Sequence, residues 1–397
     1  MHTACISRLL PVAATASSPS LWQRIAAYLH SPFTTLLVFV PLGLALDHQG
    51  NGVNPLLVFL LNGLAIIPLA NLISCSVDEV SEHLGEQWGG CLNATFGNLV
   101  ELVIAYSALT GGLYEVVLDG LVGGLVTNLL LVLGLATVVG GVRHRRMQIS
   151  TGTALLNAKL LMAVMMVAFV PSALNHLGMF RSGDHHTAYS LLLAIALLLF
   201  YGLSYVYQFF THGELFQELP MPFEHEALHD SSDRNRAPSP HSGTREGLLA
   251  ALIVLCITTI VLVYSSQALV NGLAGSVQQF HLTNFFTGVF LLPLFGSAAE
   301  FVISLRSAQT NRMNLAVATT VGSSIQIVLF VLPVLVLLGT LMGRPLGIFF
   351  SPEAMIAVIA SVFAVQWVTE DSSLDWFEGA FLVLVYVLLF ASSYFLL

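Results

Sequence analysis

The sequence predicts an all-α polytopic membrane protein of about eleven transmembrane helices, arranged as two halves that cross the bilayer in opposite senses. Three observations carry this. Of 397 residues, 56% are hydrophobic and only 9% charged, with a mean hydropathy of +0.84, against roughly 25% charged in ordinary soluble domains. Apolar stretches of membrane length follow one another along the chain. The stretch Gly97-Asn98-Leu99-Val100-Glu101 also has a second copy 199 residues later, Gly296-Ser297-Ala298-Ala299-Glu300.

About 20 helical residues cross the hydrocarbon, and on that measure the spans fall near 33–47, 54–75, 89–111, 114–141, 150–172, 187–211, 247–270, 281–307, 313–341, 352–368 and 374–396. Residues 1–32 read as a cytosolic N-terminal tail rather than a cleaved signal peptide, because Arg8 and Arg24 flank only a short apolar patch. The connection 212–246, rich in Pro, Ser, His and acids, reads as a solvated cytosolic loop. Its His212, His225 and His229 among Glu214, Glu218, Glu224, Glu226 and Asp230 admit a metal-sensing reading, but a charged linker explains them as well.

Lys and Arg gather on the cytoplasmic side of membrane proteins. With the N-terminus inside, Arg8, Arg24, Arg143, Arg145, Arg146, Arg234, Arg236, Arg245, Arg306 and Arg312 fall inside, and only Arg181 and Arg344 fall outside. Lys159 lies within a span, where a paired or snorkelling side chain is expected rather than a transporting one. The net charge of −9 says little about partners, and 13 scattered basic residues form no nucleic-acid face. Cys5, Cys75, Cys91 and Cys256 have no paired or metal-like spacing, so no disulfide framework is expected.

At the 199-residue offset, Gly97, Glu101, Val103, Ile104, Gly123, Val132 and Leu133 match Gly296, Glu300, Val302, Ile303, Gly322, Val331 and Leu332. Both glutamates and both glycines keep their spacing. An odd number of crossings separates the copies, so they point in opposite directions, an architecture that secondary transporters use to place a site at the midplane. From Glu101 to the turn at Gly111-Gly112 is about 10 residues and from there to Gly123 about 11 more. At 1.5 Å rise, each leg covers about half of a 30 Å core. One helical turn beyond each glycine stand Thr127, with Asn128 beside it, and Gln326.

The expected chemistry is a dehydrated cation site. A hard cation takes six to eight oxygen ligands, and carboxylates, amides, hydroxyls and the carbonyls of broken helices supply them. Small residues beside the glutamates (Ala94, Gly97, Gly123, Gly124, Gly296, Gly322, Ser323, Ser324) let helices approach closely. Two carboxylates sharing such a site do not both stay ionised, so one divalent cation and two or more protons compete for the same charge. Asn98, Thr127 and Gln326 are candidate ligands on this reading, although interhelical hydrogen bonding would also account for them.

Residue by residue, "NATFGNLVELVIAYSAL" and "GSAAEFVISLRSA", followed by "GSSIQIVLFVLPVLVLLG", resemble the two signature repeats of the cation/proton exchanger family, the Ca²⁺/H⁺ antiporters of the calcium/cation antiporter group. "PLGLAL", "LAIIPLA" and "GGCLNATFGN" extend the likeness over about 35–396. The resemblance implies a first, partly separate helix (33–47), then two inverted five-helix repeats (48–211 and 247–397). It implies Ca²⁺ exchanged for H⁺, with Glu101 and Glu300 as central ligands. Asn98, Thr127, Asn128, Ser297, Ser323 and Gln326 then line the site, and Asp78 and Glu79 stand at the cytosolic mouth. The chain departs from the family's usual residues at Ser297 (Asn), Phe301 (His), Gly124 and Thr127 (Ser), and at Ser266-Gln267, where the family tends to show Ser-Glu.

No resident cofactor is expected; the partners are the transported Ca²⁺ and H⁺, with Mn²⁺ or Na⁺ as further candidates, and the lipid bilayer. A Na⁺-coupled exchanger is the alternative on the same scaffold. A membrane-embedded hydrolase is the rival from another class, but His225-Glu226-Ala227-Leu228-His229, which fits His-Glu-x-x-His, falls in the 212–246 connection outside the spans, and there is no Gly-x-Ser-x-Gly and no pair of intramembrane aspartates.

Overall fold

The structure, a computed structural model, describes residues 33–49, 52–84, 95–179, 184–211 and 245–395 together with Ile25, Tyr28, Gly89 and Leu92. The expected tail over 1–32 and the loop over 212–246 lie almost wholly outside the described residues.

Apolar composition leaves the backbone to satisfy its own hydrogen bonds, and helices do so. A 3₁₀ turn, Thr34–Val38, enters α1 (Phe39–Gln49), and α2 follows (Pro55–Leu84). Then come α3 (Leu99–Thr110), α4 (Tyr114–Val126) and α5 (Leu133–His144), the last two joined without a break by a π-helical turn, Thr127–Val132. After the strand β1 (Arg146–Gln148) come α6 (Thr151–His176), α7 (Asp184–Tyr205), which runs into a π-helical turn at Val206–Thr211, and α8 (Arg245–Phe280). The next crossing is broken into α9 (Asn284–Phe286), a π-helical turn (Thr287–Leu291), α10 (Pro293–Gly296) and α11 (Ala298–Gln309), bent by 62°. The chain closes with α12 (Met313–Gln326), a π-helical turn (Ile327–Val331), α13 (Leu332–Leu341), α14 (Pro352–Val368), β2 (Ser373–Asp375) and α15 (Trp376–Phe395).

The stops and starts are chemically legible. Gly112, Gly178 and Gly343 take positive φ where α3, α6 and α13 end, and Asn311 does so between α11 and α12. Thr283 and Ser351 cap the helices that follow by accepting from the backbone N–H of Phe286 and Ala354.

Among the described residues, seven helices are long and apolar enough to cross a membrane, or eight counting the bent pair, while α3 and α14 are shorter apolar helices. Two expected spans, 89–111 and 281–307, are not continuous rods. The first has a turn at Gly97-Asn98 before α3, and the second breaks at Ser297 before α11. Hydropathy does not register such a break, because the apolar run continues through it. Asn98 and Ser297, the residues at the two breaks, occupy equivalent positions of the repeat, and the π-helical turns at Thr127–Val132 and Ile327–Val331 are equivalent as well.

The all-helical expectation needs one correction. β1 and β2 pair antiparallel, Arg146 opposite Asp375 and Gln148 opposite Ser373, so the last predicted span starts with a strand residue, Leu374. Met147 and Leu374, opposite each other in the ribbon, are both buried. It marks one end of the bundle, where Ser150 N–H also donates to Asn314 Oδ1 at 2.6 Å. At the other end Arg344 donates to the Thr110 carbonyl, and Asn284 Nδ2 to Glu115 Oε2 at 2.6 Å.

Candidate functional site

The elements that meet in the middle of the bundle are α3, α4, the broken α9–α11 crossing, and α12. Their contact depends on missing side chains. A Cβ on Gly123 would come to 2.5 Å from Pro293 Cγ and from the Val289 carbonyl oxygen, so α4 and the broken crossing touch backbone to backbone there. This brings Glu101 of α3 against α10: a Cβ on Gly296 would lie 3.8 Å from Glu101 Cγ.

A cavity of about 30 Å³ remains between these elements, lined by Glu101, Gly120, Gly124, Pro293, Ser297 and Ile327 among others. About 10–15 Å³ suffices for one water-sized occupant. Both carboxylate oxygens of Glu101 and the Oε2 of Glu300 are enclosed without a hydrogen-bond partner, and the two carboxylates act on each other electrostatically. Glu300 is buried and Glu101 half-buried. Two such groups held together without a cation are costly, and the cost falls only when a cation or a proton arrives.

Polar neighbours come from both halves. Asn98 donates from Nδ2 to Gln326 Oε1 and keeps Oδ1 enclosed without a partner. The Ser297 hydroxyl and both amide atoms of Asn128 are likewise buried and unsatisfied. Thr127 is buried near Tyr386 of α15, and its hydroxyl is enclosed without a hydrogen-bond partner. Ser323 is half-buried on α12 near Gln326. Asp78 and Glu79 lie near the end of α2, Asp78 buried and Glu79 half-buried. Among the described residues no three His, Cys, Asp or Glu gather as a metal cluster. A divalent cation here would have two carboxylates and otherwise neutral oxygens.

The repeat is not symmetric in its packing. Gly322 matches Gly123 in sequence, yet a Cβ built on it meets nothing within 4 Å among the described residues. Tyr386 was not legible as a neighbour of Thr127. A tyrosine in the apolar run of α15 carries no signal of what it faces.

The sodium/calcium exchanger protein family model matches residues 54–210 and 250–395. The chain is 34% identical over 363 residues to the Ca²⁺/H⁺ antiporter of Aphanothece halophytica, covering 91% of this chain and 96% of that protein. It is 31% identical over 365 residues to the vacuolar calcium ion transporter of Schizosaccharomyces pombe, covering 90% and 83%. The solved structure of native YfkE superposes with a TM-score of 0.74 at 28% identity, over 92% of this chain and 100% of that one.

Proposed function

We propose that this chain, which belongs to the sodium/calcium exchanger protein family, is a secondary active antiporter that exchanges Ca²⁺ for H⁺ across its membrane by alternating access. It is an integral membrane protein. The observation that carries the reading is the enclosure of Glu101 and Glu300 side by side, one from each copy of the repeat and each just past a helix break, without a cationic partner among the described residues.

The mechanism follows from charge. One Ca²⁺ cancels the pair, and so do two protons, but the site does not hold both sets at once. Asn98, Thr127, Asn128, Ser297, Ser323 and Gln326 supply neutral oxygens that replace part of the ion's hydration shell. Each occupant is carried while the site opens to one side, and its rival returns after the site opens to the other. Residues 48–211 and 247–397 serve as inverted halves behind a first helix at 33–47. The β1–β2 end faces the cytosol, and Asp78 and Glu79 stand near that mouth. The Ca²⁺/H⁺ antiporter of Aphanothece halophytica supports this exchange, and the vacuolar calcium ion transporter of Schizosaccharomyces pombe supports calcium as the cargo.

Purified protein in liposomes with an imposed pH difference tests this. Uptake of ⁴⁵Ca²⁺ in Na⁺-free medium is the expected result, with Mn²⁺, Na⁺ and K⁺ tried as competitors. Uptake that requires a Na⁺ gradient and ignores pH would replace proton coupling by Na⁺ coupling.

A further inference from the structure

The exchange chemistry above makes no use of Asp119, although this acid is only 5% exposed. It stands on α4 one helical turn after Glu115 and one before Gly123. Its burial is built by close packing, since a Cβ on Gly288 of the broken crossing would fall 2.6 Å from Asp119 Cβ. The two charged groups acting on it are both acidic, Glu115 on its own helix and Glu353 in the first turn of α14. The π-helical turns packed against α4, together with α9, α10 and α12, contribute no ionisable side chain, and α3 contributes Glu101 and Tyr106. Among the described residues no cation pairs with it.

An isolated ionised carboxylate in such a place, with two acids as its charged neighbours, is expensive. A metal is not the remedy, because the three acids do not gather around a common centre. A proton is. The placement also forms a ladder. Glu115 is exposed and held by Asn284 at the end of the bundle opposite the ribbon, Asp119 lies about 6 Å further in along the axis, and the next residue, Gly120, lines the cavity that Glu101 lines.

We propose that Asp119 is a proton-exchanging carboxyl on the path between Glu101 and water at the Glu115 end of the bundle. The proposal rests on the proton-coupled reading above. A proton from that water forms the O–H bond on Asp119, and the same bond breaks as the proton passes inward to the Glu101–Glu300 pair; nothing is consumed.

The test uses the full chain in oriented proteoliposomes, with pH varied separately on each face and two readouts. These are pH-driven ⁴⁵Ca²⁺ flux and Ca²⁺/Ca²⁺ exchange at equal pH, which moves no net proton. Asp119→Asn is expected to keep Ca²⁺/Ca²⁺ exchange within about twofold while pH-driven flux falls about tenfold or more. Asp119→Glu restores the flux. Glu353→Gln moves the pH midpoint on the Glu115 face toward acid and leaves the opposite face unchanged, because one acidic neighbour no longer favours the bound proton. An unchanged pH profile in Asp119→Asn, or equal loss of both modes without rescue by Asp119→Glu, overturns the proposal. If Asp119→Asn does not fold, an unmoved midpoint in Glu353→Gln overturns it. Absence of pH-driven flux in the unmodified protein would refute the proton-coupled reading instead, so the two failures are distinct.

Discussion

Asn98 and Gln326 stand 228 positions apart, and Asn98 Nδ2 donates its hydrogen bond to Gln326 Oε1. The bond ties the helix break before α3 to the end of α12, where the π-helical turn begins. It fixes the orientation of both amides and leaves Asn98 Oδ1 as an enclosed acceptor.

If that bond holds the two halves in register, Asn98→Ala and Gln326→Ala each weaken Ca²⁺ binding and are not additive. A double-mutant cycle on Ca²⁺ affinity is expected to show a coupling of about 0.6–1.7 kcal/mol, the range for polar pairs between transmembrane helices. Additive effects would mean that the two amides act independently.

Glu101→Gln and Glu300→Gln each remove one charge while keeping the shape of the site. Both variants are expected to fold and to lose pH-gradient-driven ⁴⁵Ca²⁺ flux in liposomes, since one remaining carboxylate no longer balances a divalent ion. Flux near the unmodified level in either variant would contradict the assignment.

The two repeat glycines should respond differently to one methyl group. Gly123→Ala places a Cβ 2.5 Å from the Val289 carbonyl oxygen, so the contact must open, at a cost of about 1–3 kcal/mol. Gly322→Ala meets no described atom within 4 Å and, inside α12, is expected to raise stability by about 0.4–1 kcal/mol. Thermal midpoints in detergent separate the two cases, and equal midpoints would refute the packing difference.

At the ribbon, hydrogen bonds from the Ser373 hydroxyl and backbone N–H, with Arg146 Nη2 at 3.1 Å adding to them, hold the Asp371 carboxyl below its ordinary range. Its contribution is therefore fully present above the unfolded value of about 3.9 and is lost as pH falls through the lower folded value. Both side chains are largely exposed, so the effect stays within about 1 kcal/mol. Asp371→Asn is expected to lower the thermal midpoint slightly at pH 6 and not below pH 2. A difference that grows toward acid would reverse the sign argued here.

Much of this molecule was legible because its signals are local. An apolar run of membrane length, a carboxylate inside it and a motif repeated at fixed spacing are each read without knowing what lies opposite. The breaks at Gly97-Asn98 and Ser297 were not legible, since neither interrupts the hydropathy. The three-residue strands were too short to show a period of two. Asp119 carries no local signal of its burial, which depends on close packing with Gly288, a residue 169 positions away.

By itself the sequence determined that the chain belongs in a bilayer and that a short motif carrying a glutamate, Glu101 or Glu300, recurs at a 199-residue offset within apolar runs, because composition, helix length and the cost of burying charge depend only on neighbours along the chain. The tertiary structure alone decided that Glu101 lies against Gly296, that Asn98 bonds Gln326, and that Gly123 is sealed while Gly322 has room. These are contacts between distant helices, set by which small residues let two backbones approach, and no local pattern encodes them.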